Sequence, residues 1–162
     1  MKKFNLFFAS AIFFLLLFSG HHESFAQTTK EFKWEQYGFK FSVPITHEVR
    51  TSSSELFESG DNLTFLQIVP GQNNYSEEEF YQKLIERGGS NILDEDNAFI
   101  DYFECYWVHC YADETPEWEY WIIAFHDWLG GEIKFFAYLW WQKGNEQAKQ
   151  IALEIFNSFR AI

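Results

Sequence analysis

Positive charge and cysteine are both scarce in this chain. Lys and Arg account for 12 of 162 residues against 24 Asp and Glu, a net charge of −12. Phosphate contacts need Lys and Arg, so so few cations exclude nucleic acid and anionic lipid as partners. There are two cysteines, Cys105 and Cys110. Neither forms a C-x-x-C pair, and the three histidines beyond residue 26 (His47, His109 and His126) show no H-x-x-x-H spacing, so no metal site is expected. Within what reads as one strand, an odd offset puts the two thiols on opposite faces. Their separation, about 16 Å at 3.3 Å per residue, exceeds the roughly 7 Å Cα spacing a disulfide allows. Two buried free thiols are expected. Also missing are a G-x-S-x-G nucleophile turn and a glycine-rich phosphate loop. No catalytic residue and no cofactor is therefore expected. No internal repeat, linker or low-complexity tract divides the chain.

The first 26 residues carry a different pattern. Lys2 and Lys3 precede an apolar run that is dense from Ala11 to Phe18, and Ser24-Phe25-Ala26 places small residues at the −3 and −1 positions of a cleavage site. This predicts a signal peptide over 1–26, cut between Ala26 and Gln27. The alternative is a membrane anchor. The apolar run is short for a span, polar Ser19 to Glu23 follows it, and no stop-transfer charge cluster appears. With no cysteine near the cut, no lipid anchor is expected, and the predicted location is periplasmic or secreted. Losing Lys2, Lys3 and Glu23 leaves 10 basic and 23 acidic residues, a charge of −13, on 136 residues that form a single domain, 27–162.

What this domain has in abundance is aromatic rings. All seven Trp, all eight Tyr and thirteen Phe lie in 27–162, 28 of 136 residues. Rings bring large buried area and favour strands, so a thick sheet-based core accounts for them. An exposed aromatic platform for sugar or peptide is the functional alternative. The excess acidic charge has a simple role in keeping such a chain in solution.

Strand patterns appear at Trp34–Val43, where Phe39, Phe41 and Val43 alternate with Lys40 and Ser42, and at a hairpin around Ser59-Gly60-Asp61-Asn62. Residues Thr46 to Ser54 are polar and ambiguous. Ser76, with Glu79 three residues on, makes a capping box for a helix that Gly88-Gly89 stops. Three long strands follow, Phe99–Tyr111, Glu119–His126 and Ile133–Trp141. Both faces of the last are apolar: Ile133, Phe135, Ala137, Leu139 and Trp141 on one, Phe136, Tyr138 and Trp140 on the other. A final helix, capped by Asn145, carries Ala148, Ile151, Ala152, Ile155, Phe156 and Phe159 as one stripe. The expected fold is α+β: an antiparallel sheet of about five to six strands sandwiched between helices that cover its two apolar faces.

This order resembles the PsbP-like domains, including exported bacterial proteins of the DcrB type. The residues that carry the likeness are Tyr37-Gly38-Phe39-Lys40-Phe41-Ser42-Val43-Pro44, where a strand ends in a Val-Pro step, and the closing Ile155-Phe156-Asn157-Ser158-Phe159-Arg160. A hairpin and helix before a three-strand meander complete it. The resemblance spans nearly all of 27–162 and implies an accessory or binding role. It supplies no catalytic residue, and fold alone does not fix function.

Candidate chemistry is sparse. Cys105 and His109 share a strand face with His126 nearby, short of a convergent zinc set. Asp94-Glu95-Asp96-Asn97 with Asp101 offers hard oxygens for calcium, but without the glycine and terminal glutamate of an EF-hand; a solvated turn is the plainer reading. The expected function is a non-enzymatic exported accessory domain that binds an envelope protein partner. The alternative is binding of carbohydrate or a small apolar ligand through Trp118, Trp128 and Trp140. A hydrolase with a dispersed site is the third possibility, and a cleft holding clustered Asp, His and Ser would promote it.

Overall fold

The computed structural model describes residues 28–71, 77–88, 91–111, 115–127 and 133–162. The predicted signal peptide lies outside them. No helix among the described residues is long and apolar enough to cross a membrane.

Two sheets carry the described residues. Strand β1 (Thr29–Trp34) runs into a single 3-10 turn at Glu35–Tyr37, and Gly38, at φ 72°, reverses the chain into β2 (Phe39–Pro44). The stretch expected as one strand, Trp34–Val43, therefore holds the end of β1, the turn and β2, and β1 and β2 pair antiparallel, Phe32 to Phe41 and Trp34 to Phe39. A left-handed backbone is the conformation glycine adopts without steric cost, which is why the break falls at Gly38. The two-residue strand β10 (Arg160–Ala161) joins the other edge of β2.

The second sheet has seven antiparallel strands: β3 (Glu48–Ser52), β4 (Phe57–Gly60), β5 (Thr64–Pro70), β6 (Ile92–Ile100), β7 (Phe103–Tyr111), β8 (Trp118–Asp127) and β9 (Ile133–Gln142), in the order β3-β4-β5-β9-β8-β7-β6. The expected hairpin is β4–β5, and β7–β8–β9 forms the meander. The sheet is larger than the expected five to six strands for two reasons. The polar tract Thr46–Ser54 contains β3, and the acidic run Asp94–Asn97, read as a turn, lies in β6. Both are edge strands whose side chains mostly face water, so no apolar alternation marks them; charges on an exposed edge also discourage pairing with other chains. The predicted strand Phe99–Tyr111 breaks at Asp101–Tyr102, with Asp101 at φ 55°, a conformation Asp tolerates better than most residues.

Helix α1 (Glu77–Gly88) lies where the capping box placed it, although Ser76 itself falls outside the described residues. Helix α2 (Glu146–Phe156) is capped by Asn145, whose side chain accepts from the Ala148 amide at 3.0 Å. Its buried stripe is Ala148, Ile151, Ala152, Ile155 and Phe156; Phe159, expected on the same stripe, is buried just beyond the helix end.

The main core fills the face of the large sheet that meets the small sheet and α2. The layer expected to be purely helical is here a second sheet and a helix together, because Phe39, Phe41 and Val43 bring a strand face of their own to bury. Phe39 stacks on Phe135 at 3.7 Å and Phe125 on Phe135 at 4.3 Å, with Phe159 4.6 Å from Phe125. Ser158 ties α2 to β2: its hydroxyl accepts from the Ser42 amide and lies within bonding distance of the Ser42 and Ile155 carbonyls. This is the structural content of the Ser-Phe-Arg ending. On the opposite face, Leu84 of α1 packs with Val108, Cys110, Ile122, Ala124 and Phe136.

Candidate functional site

The face that carries α1 also carries a row of half-buried rings. Strand register builds it: Phe65 on β5 is opposite Trp140 on β9, and Trp140 is opposite Tyr120 on β8. Partners in direct register share a face. The Phe65 and Trp140 rings are 5.2 Å apart, and Trp140 stacks with Tyr120 at 5.8 Å and with Tyr138 at 5.7 Å. Helix α1 covers this face over β7 and β8. Its Arg87 lies 4.4 Å over the Phe136 ring and bonds the Tyr138 hydroxyl.

Over β5 and β9, where Phe65 and Trp140 are only half buried, there is a wide-open cleft of about 290 Å³, lined by Arg50, Asp61, Phe65, Thr115, Trp118 and Trp140. Arg50 reaches it through an irregularity in β3. The pairing slips between Val49 and Thr51, so Arg50 is an extra residue in the strand, and its guanidinium sits 5.1 Å over the Phe65 ring. Bulges commonly re-aim one side chain in this way. Gly60, directly opposite Phe65, makes room for the ring: a Cβ there would fall 2.6 Å from Phe65 Cδ2.

Asp61 forms the floor of the corner. Its Oδ1 accepts from the Leu63 and Thr64 amides at 2.9 Å each, and its Oδ2 accepts from the Thr46 hydroxyl at 2.8 Å. Burial works against ionisation here. The two amides, the Thr46 hydroxyl and the His47 charge outweigh it and hold the carboxyl below its ordinary range. Behind it, His47 is buried between two hydroxyls, with Nδ1 3.2 Å from Ser59 Oγ and Nε2 2.7 Å from Thr64 Oγ1. Burial lowers its pKa although the Asp61 charge raises it.

Asp, His and Ser thus do cluster beside a cleft, as the third reading required. The geometry is not that of a nucleophilic triad. A triad places the imidazole between the nucleophile and the carboxylate, whereas His47 bonds hydroxyls through both nitrogens. Ser59 and Thr64 are also fully buried. The cluster is a joint that fixes the β3–β4–β5 corner.

Of the three tryptophans predicted from sequence, Trp118 and Trp140 line this one cavity, and Trp128 lies outside the described residues. Sequence reading missed Arg50, Phe65 and Thr115, and took Asp61 only as part of a turn. Register across β5–β9 and the slip in β3 bring the first two in, and neither leaves a trace in residue spacing.

The other candidates disperse. No group of three or more His, Cys, Asp or Glu among the described residues converges on a metal position. Cys105 belongs to the main core and Cys110 to the cluster under α1, both free. Burial pushes the Cys110 thiol up to about 11 against a Tyr120 hydrogen bond, and it pushes Cys105 up as well. His109 bonds Glu119 at 3.0 Å on the main-core face, 5.1 Å from the Trp141 ring. His126 is buried, and its Nδ1 has no partner among the described residues.

Among the described residues, a mainly antiparallel sheet with two helices makes an α+β fold, and that fold is PsbP-like. The solution structure of cyanobacterial PsbP (CyanoP) from Synechocystis sp. PCC 6803 is similar to this chain with a TM-score of 0.57 at 9% identity, covering 86% of this chain and 96% of that one. No family model matches the sequence, and no curated protein matches it.

Proposed function

We propose that this chain is an exported, non-enzymatic binding domain whose seat is the cleft between Trp118 and Trp140, and that the ligand is a carbohydrate. The observation that carries the proposal is the convergence of Phe65, Trp118 and Trp140 with Arg50, Asp61 and Thr115 on one cavity. Sugar recognition asks for this mixture: ring faces for the apolar C–H face of a pyranose, and a few polar groups to orient it. Tryptophan emission reports the event, since two of the seven Trp line the cavity. Titration with oligosaccharides is expected to give a saturable shift that Trp140→Ala or Trp118→Ala abolishes while circular dichroism stays unchanged. A shift that survives both substitutions removes the cleft from consideration.

A second reading, an accessory domain that binds an envelope protein partner, draws on the PsbP-like fold. Retention of one stoichiometric protein by the immobilised domain, with no sugar shift, would favour it. Both readings share export through the 1–26 leader to the periplasm or beyond. Export predicts a purified protein whose first residue is Gln27; an intact Met1 removes that part.

A further inference from the structure

The cleft's hydrogen-bonding groups are unequally engaged. Its carboxylate, Asp61, already accepts three bonds from its own corner. The next carboxylate along β4, Glu58, is held by Thr51 through Oε2 and by Gln67 through Oε1. The donors are unspent: the Arg50 guanidinium and the indole N–H groups of Trp118 and Trp140 have no hydrogen-bond partner among the described residues. Arg50 is exposed, lies over the Phe65 ring and offers a planar fork that matches a carboxylate in two-point fashion. A neutral sugar brings both donors and acceptors, and its donors would find few free acceptors here. A ligand rich in acceptors suits the cleft better. The ionised Asp61 in the same lining opposes an anion, but its carboxylate is already held by two amides and a hydroxyl, and exposed acidic residues farther off than about 8 Å are screened by physiological salt.

We infer that the cleft selects a carboxylate-bearing sugar, a uronic acid unit whose carboxylate meets the Arg50 fork while its ring lies against the Trp140–Phe65 surface. This rests on the reading of the cleft as a carbohydrate seat.

The test compares three probes of one length by calorimetry and tryptophan emission: trigalacturonate, its full methyl ester and the neutral galactose trimer. The expected result is that trigalacturonate binds about tenfold or more tightly than either neutral probe, as loss of a charge-assisted pair implies. Arg50→Gln should bring the three to a common weak affinity, and Arg50→Lys should restore part of the preference. If neutral and acidic probes bind alike and Trp140→Ala abolishes both, the carbohydrate seat stands and the selection by Arg50 is overturned. If none of the three binds, both fall. If a peptide with a free C-terminal carboxylate binds while trigalacturonate does not, the sugar assignment is overturned in favour of a peptide.

Discussion

The two faces of the large sheet are built from the same residue class and do opposite things with it. On one, Phe39, Phe125, Phe135 and Phe159 are wholly buried and stacked against one another. On the other, Phe65, Trp118, Tyr120, Tyr138 and Trp140 stay half exposed, and cations lie over some of the rings, Arg50 over Phe65 and Arg87 over Tyr138. Aromatic content by itself thus separates neither core from platform. What separates them is cover: a second sheet and α2 close the first face, while α1 roofs only part of the second.

The largest test of that contrast is a pair of truncations. Phe135→Ala removes a ring packed between Phe39 and Phe125, and is expected to cost about 3–5 kcal/mol in urea unfolding. Trp140→Ala should cost well under half as much while abolishing ligand binding. Equal losses would make the cleft face an ordinary part of the core.

A smaller effect comes from the seam between core and cleft. A methyl group at Gly60 meets the Phe65 ring at 2.6 Å and the Thr64 carbonyl at 3.0 Å. Gly60→Ala should therefore cost about 1–3 kcal/mol, as overpacking does. It should also shift tryptophan emission, because Phe65 is pressed toward Trp140. Wild-type stability with unchanged emission would show that Phe65 is free to move and the cleft has no fixed wall.

The smallest effect is on the pH profile of the corner beneath the cleft. His47 has a folded pKa below its ordinary 6.5, so the unfolded chain binds the extra proton in the window below that value. Its contribution is fully present above 6.5 and is lost as the pH falls. Asp61 contributes stability above its ordinary 3.8 that is lost as the pH falls through its lower folded value. Both act in the same direction, and acid weakens the corner. Urea midpoints between pH 8 and 5 should decline in the wild type and decline less in His47→Gln. Identical slopes would free the corner from this linkage.

Elements with a strong local signature were legible in the sequence: α2 from Asn145 and its apolar stripe, α1 from its capping box, and β8 and β9 from long apolar runs. The opposite placement of Cys105 and Cys110 followed from an odd offset along one strand. Edge strands β3 and β6 were not legible, since water on their faces removes the alternation that betrays a strand. The cleft was half legible: Trp118 and Trp140 drew notice as tryptophans, while Arg50 and Phe65 had nothing local to mark them.

Periodicity and caps are properties of neighbouring residues, so the chain alone determined that this protein is an antiparallel α+β domain with a two-faced apolar sheet. Which ring is buried and which is left half exposed was decided only in three dimensions. It depends on β9 inserting between β5 and β8, on the slip in β3 that turns Arg50 over Phe65, and on how far α1 reaches. These are contacts between segments distant in sequence, set by the packing of whole layers rather than by the preference of any one residue.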